Sequence, residues 1–241
     1  MKKIVNSLLP MLILTQVVIS AHAQLDKKEL VGAWETGTDV KMTRIVIGEF
    51  FSVAVYQENE FVSTAGGRWK IDGKNLVETY EYNTVSPDLV GKEISTPVEL
   101  KKDKLMLTVN GKKENWSRID DGTPGKLAGA WLITGRMRDG EMSKMIPGAR
   151  RTMKILSGTR FQWIAYNVDT KEFSGTGGGT YTTENGKYTE NILFFSRDNS
   201  RVGASLQFDF SLENGDWHHK GLSSKGDPID EVWTKREKTG L

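Results

Sequence analysis

The feature that most constrains this 241-residue chain is that its pattern occurs twice. Leu30-Val31-Gly32-Ala33-Trp34 returns as Leu127-Ala128-Gly129-Ala130-Trp131, and the residues downstream of the first copy are echoed, in the same order, downstream of the second. Gly48, Phe51 and Tyr56 match Gly158, Phe161 and Tyr166 at an offset of 110. Gly66-Gly67, Glu78 and Val90-Gly91 match Gly178-Gly179, Glu190 and Val202-Gly203 at 112. The halves close on Glu114-Asn115-Trp116-Ser117-Arg118 and Glu231-Val232-Trp233-Thr234-Lys235. Self-similarity on this scale marks a duplicated unit. Each copy is well above the length of about 60 residues at which isolated domains begin to fold. A single sheet running through both halves is the competing arrangement.

Each copy reads as strands. Short runs rich in aromatic and β-branched residues, such as Phe51 to Tyr56 and Phe161 to Tyr166, are separated by Asp72-Gly73, Asn110-Gly111, Asn185-Gly186 and Asn214-Gly215. Glycine beside Asn or Asp allows the positive backbone angles of tight hairpins. Helical periodicity is not sustained: Asp26 to Val31 has room for one turn, and Pro147-Gly148 breaks the stretch from Met142 to Arg151. The expected fold is all-β, two antiparallel meanders in tandem, each closed into a barrel so that no sheet edge is left open. The expected boundaries are residues 24–120 and 126–241, joined by a polar, breaker-rich linker at 121–125 short enough to bring the units into contact.

The first 23 residues carry Lys2-Lys3, an apolar run from Ile4 to Ile19, and Ala21-His22-Ala23. That is the layout of a secretory signal peptide cut before Gln24. The run is interrupted by Asn6, Ser7, Pro10, Thr15 and Gln16, whereas a spanning helix needs about 20 predominantly apolar residues. The expectation is a periplasmic or secreted, soluble protein without a membrane span. The chain has no cysteine, which excludes disulfides, thiolate metal sites and a cysteine nucleophile. Loss of Lys2 and Lys3 takes the formal charge from +2 to zero, and nucleic-acid binders usually show a basic stripe. The densest basic cluster, Arg150-Arg151 with Lys144 and Lys154, is expected to be a solvated loop and strand edge.

The Gly-x-Trp on each first strand, the hairpin meander and the basic residue on each last strand together resemble the lipocalin-like, or calycin, superfamily. The second half resembles more closely a family of exported bacterial lipocalin-like domains of unassigned function. This likeness rests on Gly177-Gly178-Gly179-Thr180-Tyr181, Gly186-Lys187-Tyr188-Thr189-Glu190 and Glu231-Val232-Trp233-Thr234-Lys235-Arg236. The resemblance implies that a Trp plugs the closed end of each barrel beneath a cation from the last strand: Trp34 under Arg118, and Trp131 under Lys235 or Arg236. A cation over an indole face contributes about 0.5–2 kcal/mol.

Candidate chemistry is sparse. Gly175-Thr176-Gly177-Gly178-Gly179 lacks the Lys-Ser/Thr of a phosphate loop, so a strand bend is expected. His218-His219 lie on opposite faces of any strand; the expectation is surface or edge histidines, with no metal site and no cofactor. Glu190 shares a strand face with Tyr188 and Ile192. It would serve either as a polar ligand anchor or as an acid paired with Tyr, Lys or Arg across the barrel. Phe161, Trp163, Tyr181, Tyr188 and Glu190 are the expected lining of a pocket if the second barrel is hollow, and its filling if it is not, both outcomes being open to eight-stranded barrels.

The functional expectation is an exported, non-enzymatic protein holding a small apolar or amphipathic ligand in the second barrel. The alternative is a protein-interaction or assembly module whose solid barrels bind a protein partner through their surface or the inter-domain cleft. The chain shows no Gly-x-Ser-x-Gly elbow or other recognisable catalytic constellation.

Overall fold

The computed structural model describes residues 25–241; the expected signal peptide lies outside them. The first repeat forms β1 (Gly32–Thr36), β2 (Val40–Ile47), β3 (Phe50–Gln57), β4 (Glu60–Asp72), β5 (Asn75–Asn83), β6 (Glu93–Lys101), β7 (Lys104–Val109) and β8 (Lys112–Asp120). Each strand pairs antiparallel with the next, and β8 returns to β1 to close the barrel.

The second repeat forms β9 (Gly129–Arg138), β10 (Glu141–Lys144), β11 (Arg150–Leu156), β12 (Arg160–Asn167), β13 (Phe173–Glu184), β14 (Lys187–Phe195), β15 (Ser205–Glu213), β16 (Asp216–Leu222) and β17 (Pro228–Lys235). Its barrel closes between β9 and β17. The strand β10 is an extra hairpin arm on β9, outside the closure. The molecule is therefore two eight-stranded antiparallel barrels in tandem, not one continuous sheet. Among the described residues no helix is long and apolar enough to cross a membrane.

Turn chemistry and close packing explain how the repeats close. Asn110-Gly111, Asn185-Gly186 and Asn214-Gly215 all have positive φ at both residues, the backbone of a two-residue hairpin. Register shifts at Gly66/Gly67 and Gly178/Gly179 bend the longest strand of each barrel. A Cβ on Gly67 would stand 2.1 Å from the Thr79 carbonyl oxygen, and one on Gly179 2.0 Å from that of Asn191. The glycine-rich stretch is a bend that needs the missing side chain.

At the closed end of the first barrel Trp34 is fully buried, and its Nε1 donates to the Leu30 carbonyl at 2.9 Å. The Arg118 guanidinium lies 4.0 Å from the Trp34 ring centroid and donates to the Val31 and Glu29 carbonyls. The second barrel repeats this arrangement. Trp131 Nε1 donates to the Leu127 carbonyl at 2.9 Å, and Lys235 Nζ lies 5.4 Å from the ring. Arg236, the other expected cap, does something else. It begins the 3-10 turn that comes after β17, points out of its own barrel, and is completely buried against Phe50 and Glu81 of the first.

The barrels stand side by side with the same end up. Their closed ends meet where Asp120, the last residue of β8, accepts hydrogen bonds from Ser157 Oγ, Thr159 Oγ1 and the Gly158 and Thr159 amides. Towards their open ends Phe61 stacks on Phe173 at 6.0 Å. Between these points Ile45, Phe50 and Tyr82 pack with Leu132, Met153, Ile155, Ile164 and Tyr166 in one apolar cluster.

Candidate functional site

The chemistry-bearing side chains collect inside the second barrel in layers. Strand alternation points Lys154 of β11, Tyr188 and Glu190 of β14, Phe208 of β15, Trp217 and His219 of β16, and Glu231 and Trp233 of β17 towards one axis. The deeper layer is an ion pair. Lys154 Nζ lies 2.7 Å from Glu190 Oε1, and Tyr188 Oη donates to the same oxygen at 2.8 Å. The ammonium stands 5.0 to 5.7 Å from the rings of Tyr188, Phe208, Trp217 and Trp233. A charge this deep persists because it is paired and hydrogen-bonded. Burial, with the Glu190 charge beside it, pushes the Tyr188 hydroxyl well above the usual tyrosine range, so it acts only as a neutral donor.

The next layer is His219, Glu231 and Arg136. His219 Nδ1 lies 3.3 Å from Glu231 Oε2, which also accepts from Trp233 Nε1 at 3.1 Å. Arg136 Nη2 donates to Glu231 Oε1 at 2.6 Å. Burial opposes the charge on Glu231. The His219 hydrogen bond and the Lys154 and Arg136 charges outweigh it and hold the carboxyl at about 2. Burial, and then the Lys154 charge, push His219 below its ordinary 6.5. The imidazole is thus neutral near pH 7, with Nδ1–H given to Glu231. Its Nε2 is buried with no hydrogen-bond partner.

Above this layer burial becomes partial. At the end of the barrel away from Trp131, Met145, Trp163, Phe195, Leu206 and Ile229 are partly buried against the core and make up the rim, or mouth, of that end. Arg197 lies 5.7 Å over the Trp163 ring and is anchored to the Ser174 carbonyl. Arg136 is 44% exposed at the same end.

The five expected pocket residues separate on these layers. Side chains lining a ligand-sized cavity would be open to water, but Phe161, Tyr181, Tyr188 and Glu190 are 1%, 3%, 0% and 4% exposed. They fill the barrel: Tyr181 Oη donates to the Ser157 carbonyl, and Glu190 is consumed by Lys154 and Tyr188. Of the five, only Trp163 reaches the mouth.

Two other expectations change. His219 is an interior residue, 2% exposed, while His218 faces out beside Glu213. The signal was present in the sequence, because period two puts Trp217 with His219 on one face and Glu231 with Trp233 on another. The basic cluster is also not a solvated edge. Lys154 lies inside the barrel and Arg151 bonds Glu81 at 3.0 Å, leaving Lys144 and Arg150 exposed.

Among the described residues no group of three or more His, Asp or Glu is placed to hold a metal ion. The cavity between the barrels, lined by Thr43, Tyr56, Arg160, Gln162 and Phe194, measures about 10 Å³, room for no more than about one water. No protein-family model matches the chain, and comparison with curated proteins finds no match.

Proposed function

We propose that this is an exported, non-catalytic binding protein of lipocalin-like type that takes a small amphipathic molecule at the mouth of the second barrel. In this reading Trp163 and Phe195 receive the apolar part, and the exposed side of Arg136 meets the polar part. The supporting observation is the contrast between a sealed interior and an unsealed rim: partly exposed aromatic rings and a half-exposed guanidinium sit directly above a filled aromatic core. Small-molecule sites commonly join apolar walls to a few convergent polar groups. Tyr181, Tyr188 and Glu190 hold the floor and do not touch the ligand.

The test is a fluorescence titration with an anilinonaphthalene sulfonate, an amphipathic anion. Saturable one-to-one binding that is lost in Trp163→Ala supports the proposal, while binding that is absent, or unchanged in that variant, refutes it.

A second reading draws on the apolar side chains exposed at the same end. Met137 and Met142 are each 39% exposed, Leu222 57% and Ile146 95%. These would suit the edge of a protein partner, with the barrels as rigid supports. A rim variant, Met142→Ser with Ile146→Ser, separates the readings: small-molecule binding survives it if the mouth is the site.

A further inference from the structure

The surface between the barrels has the contact pattern of a symmetric dimer. Ser52 and Gln162 occupy equivalent positions in the two repeats, and they bond directly to each other. Phe61 and Phe173 are likewise equivalent and stack on each other. Tyr56 stacks on Phe194 at 5.0 Å, and the reciprocal pair, Tyr166 with Tyr82, packs at 4.8 Å. The supporting hydroxyls also repeat. Thr64 Oγ1 donates to the Val53 carbonyl as Thr176 Oγ1 does to that of Trp163, and Gln162 Nε2 donates to both hydroxyls at 2.9 Å. Self-paired residues on an axis, with reciprocal pairs flanking it, define an isologous interface.

Besides the Asp120 contacts at the closed ends, which have no reciprocal, one feature breaks the symmetry. Glu81 of the first barrel receives Arg236, Arg151 and the Tyr166 hydroxyl of the second. The positions related to Glu81, Arg151 and Arg236 by the repeat are Leu193, Lys41 and Ile119. No second lock can form there.

We infer that the β3–β4 face of the first barrel and the β12–β13 face of the second are one self-complementary pairing surface. Its partner is a barrel of this same chain. The Glu81 lock, present on one side only, selects first-with-second pairing over like-with-like, because two first barrels would bring Glu81 opposite Lys41 and Ile119 without Arg236, and two second barrels would bury Arg236 without a carboxylate. Pairing then does not depend on the linker.

The test uses the folded full-length protein carrying a protease site between Pro124 and Gly125, cut after purification and weighed by native mass spectrometry. The cut wild type should keep the mass of the uncut chain as a one-to-one pair of unlike barrels; barrels that separate at micromolar concentration would overturn the pairing surface. In cut Glu81→Gln protein, like-with-like pairs should appear beside unlike ones; pairs that remain exclusively unlike would overturn the lock. Arg151→Gln, at the partly accessible edge of the lock, gives the same readout if Glu81→Gln does not fold.

Discussion

The two barrels share a backbone plan and differ in what fills it. Repeat positions occupied in the first barrel by Arg44, Leu76, Thr96, Leu105 and Leu107 hold Lys154, Tyr188, Phe208, Trp217 and His219 in the second. Each barrel keeps one buried ion pair at the same place, Arg44 with Glu78 at 2.5 Å and Lys154 with Glu190 at 2.7 Å. The wide guanidinium of Arg44 stands beside the rings of Phe51 and Trp116 and leaves space only for leucines at the facing positions, whereas the slimmer ammonium of Lys154 is surrounded by four aromatic rings. Even the supporting hydroxyl changes strand position: Tyr80 reaches Glu78 from two residues further along β5, and Tyr188 reaches Glu190 from two residues earlier on β14. The paired charge is therefore part of the fold, and the aromatic layer, His219 and the Trp163 ring in place of Val53 are what the second barrel adds.

The largest effect is expected from removing one half of an ion pair. Glu190→Gln should destabilise the second barrel by about 3–5 kcal/mol, because it leaves Lys154 buried and uncompensated. Chemical denaturation followed by tryptophan fluorescence checks this. The double replacement Lys154→Met with Glu190→Leu should recover most of the loss. A double variant as unstable as the single one would show that the pair does more than satisfy itself. Trp131→Ala should cost a similar amount, about 3–5 kcal/mol for deleting a buried aromatic, and an unchanged melting temperature would show that the closed end does not depend on it.

Acid should distinguish the barrels next. His219 has a folded-state pKa below its ordinary 6.5, so the unfolded chain takes up that proton first and stability falls as pH drops below 6.5. Glu231, held at about 2, adds a further loss as pH falls from its ordinary 4.5. In the first barrel burial outweighs Arg44 and raises Glu78 above 4.5, which has the opposite sign: stability contributed at low pH fades as pH rises through that range. Each group changes stability by at most about 1.4 kcal/mol per pH unit. Hydrogen exchange at pH 5 against pH 7 should therefore show loosening in β16 and β17 but not in β7 and β8. His219→Leu, the residue of the first barrel, should remove the part above pH 4.5.

The smallest effect concerns the caps. Arg118→Ala should cost more than Lys235→Ala, both within about 0.5–2 kcal/mol, since Arg118 also holds two carbonyls and Asp103. Equal losses would mean that stacking alone matters.

Much of the fold was legible because it was written twice. The constant offsets carried strand order, the Asn-Gly pairs carried the hairpins, and Gly66-Gly67 with Gly178-Gly179 marked the bends. The site was less legible. Period two placed Tyr188 and Glu190 inside correctly, but periodicity does not measure free volume, so it could not say that Lys154 would cross the barrel and close it. His219 is buried where a surface or edge position is expected, because opposite faces alone do not say which histidine turns inward; its sharing a face with Trp217 does. Arg236 sits one residue past the last strand, where alternation stops being informative, and its partner Glu81 lies 155 residues away. The extra β10 arm has no counterpart in the first repeat, so the repeat could not announce it.

The most direct measurement of the functional claim replaces second-barrel residues by those of the first. Titrating an anilinonaphthalene sulfonate into wild type, Trp163→Val and Tyr188→Leu sets the rim against the interior. If the mouth is the site, Trp163→Val loses binding at nearly unchanged stability, while Tyr188→Leu loses stability and keeps binding. Binding intact in Trp163→Val and abolished in folded Tyr188→Leu would place the ligand inside the barrel and contradict the account.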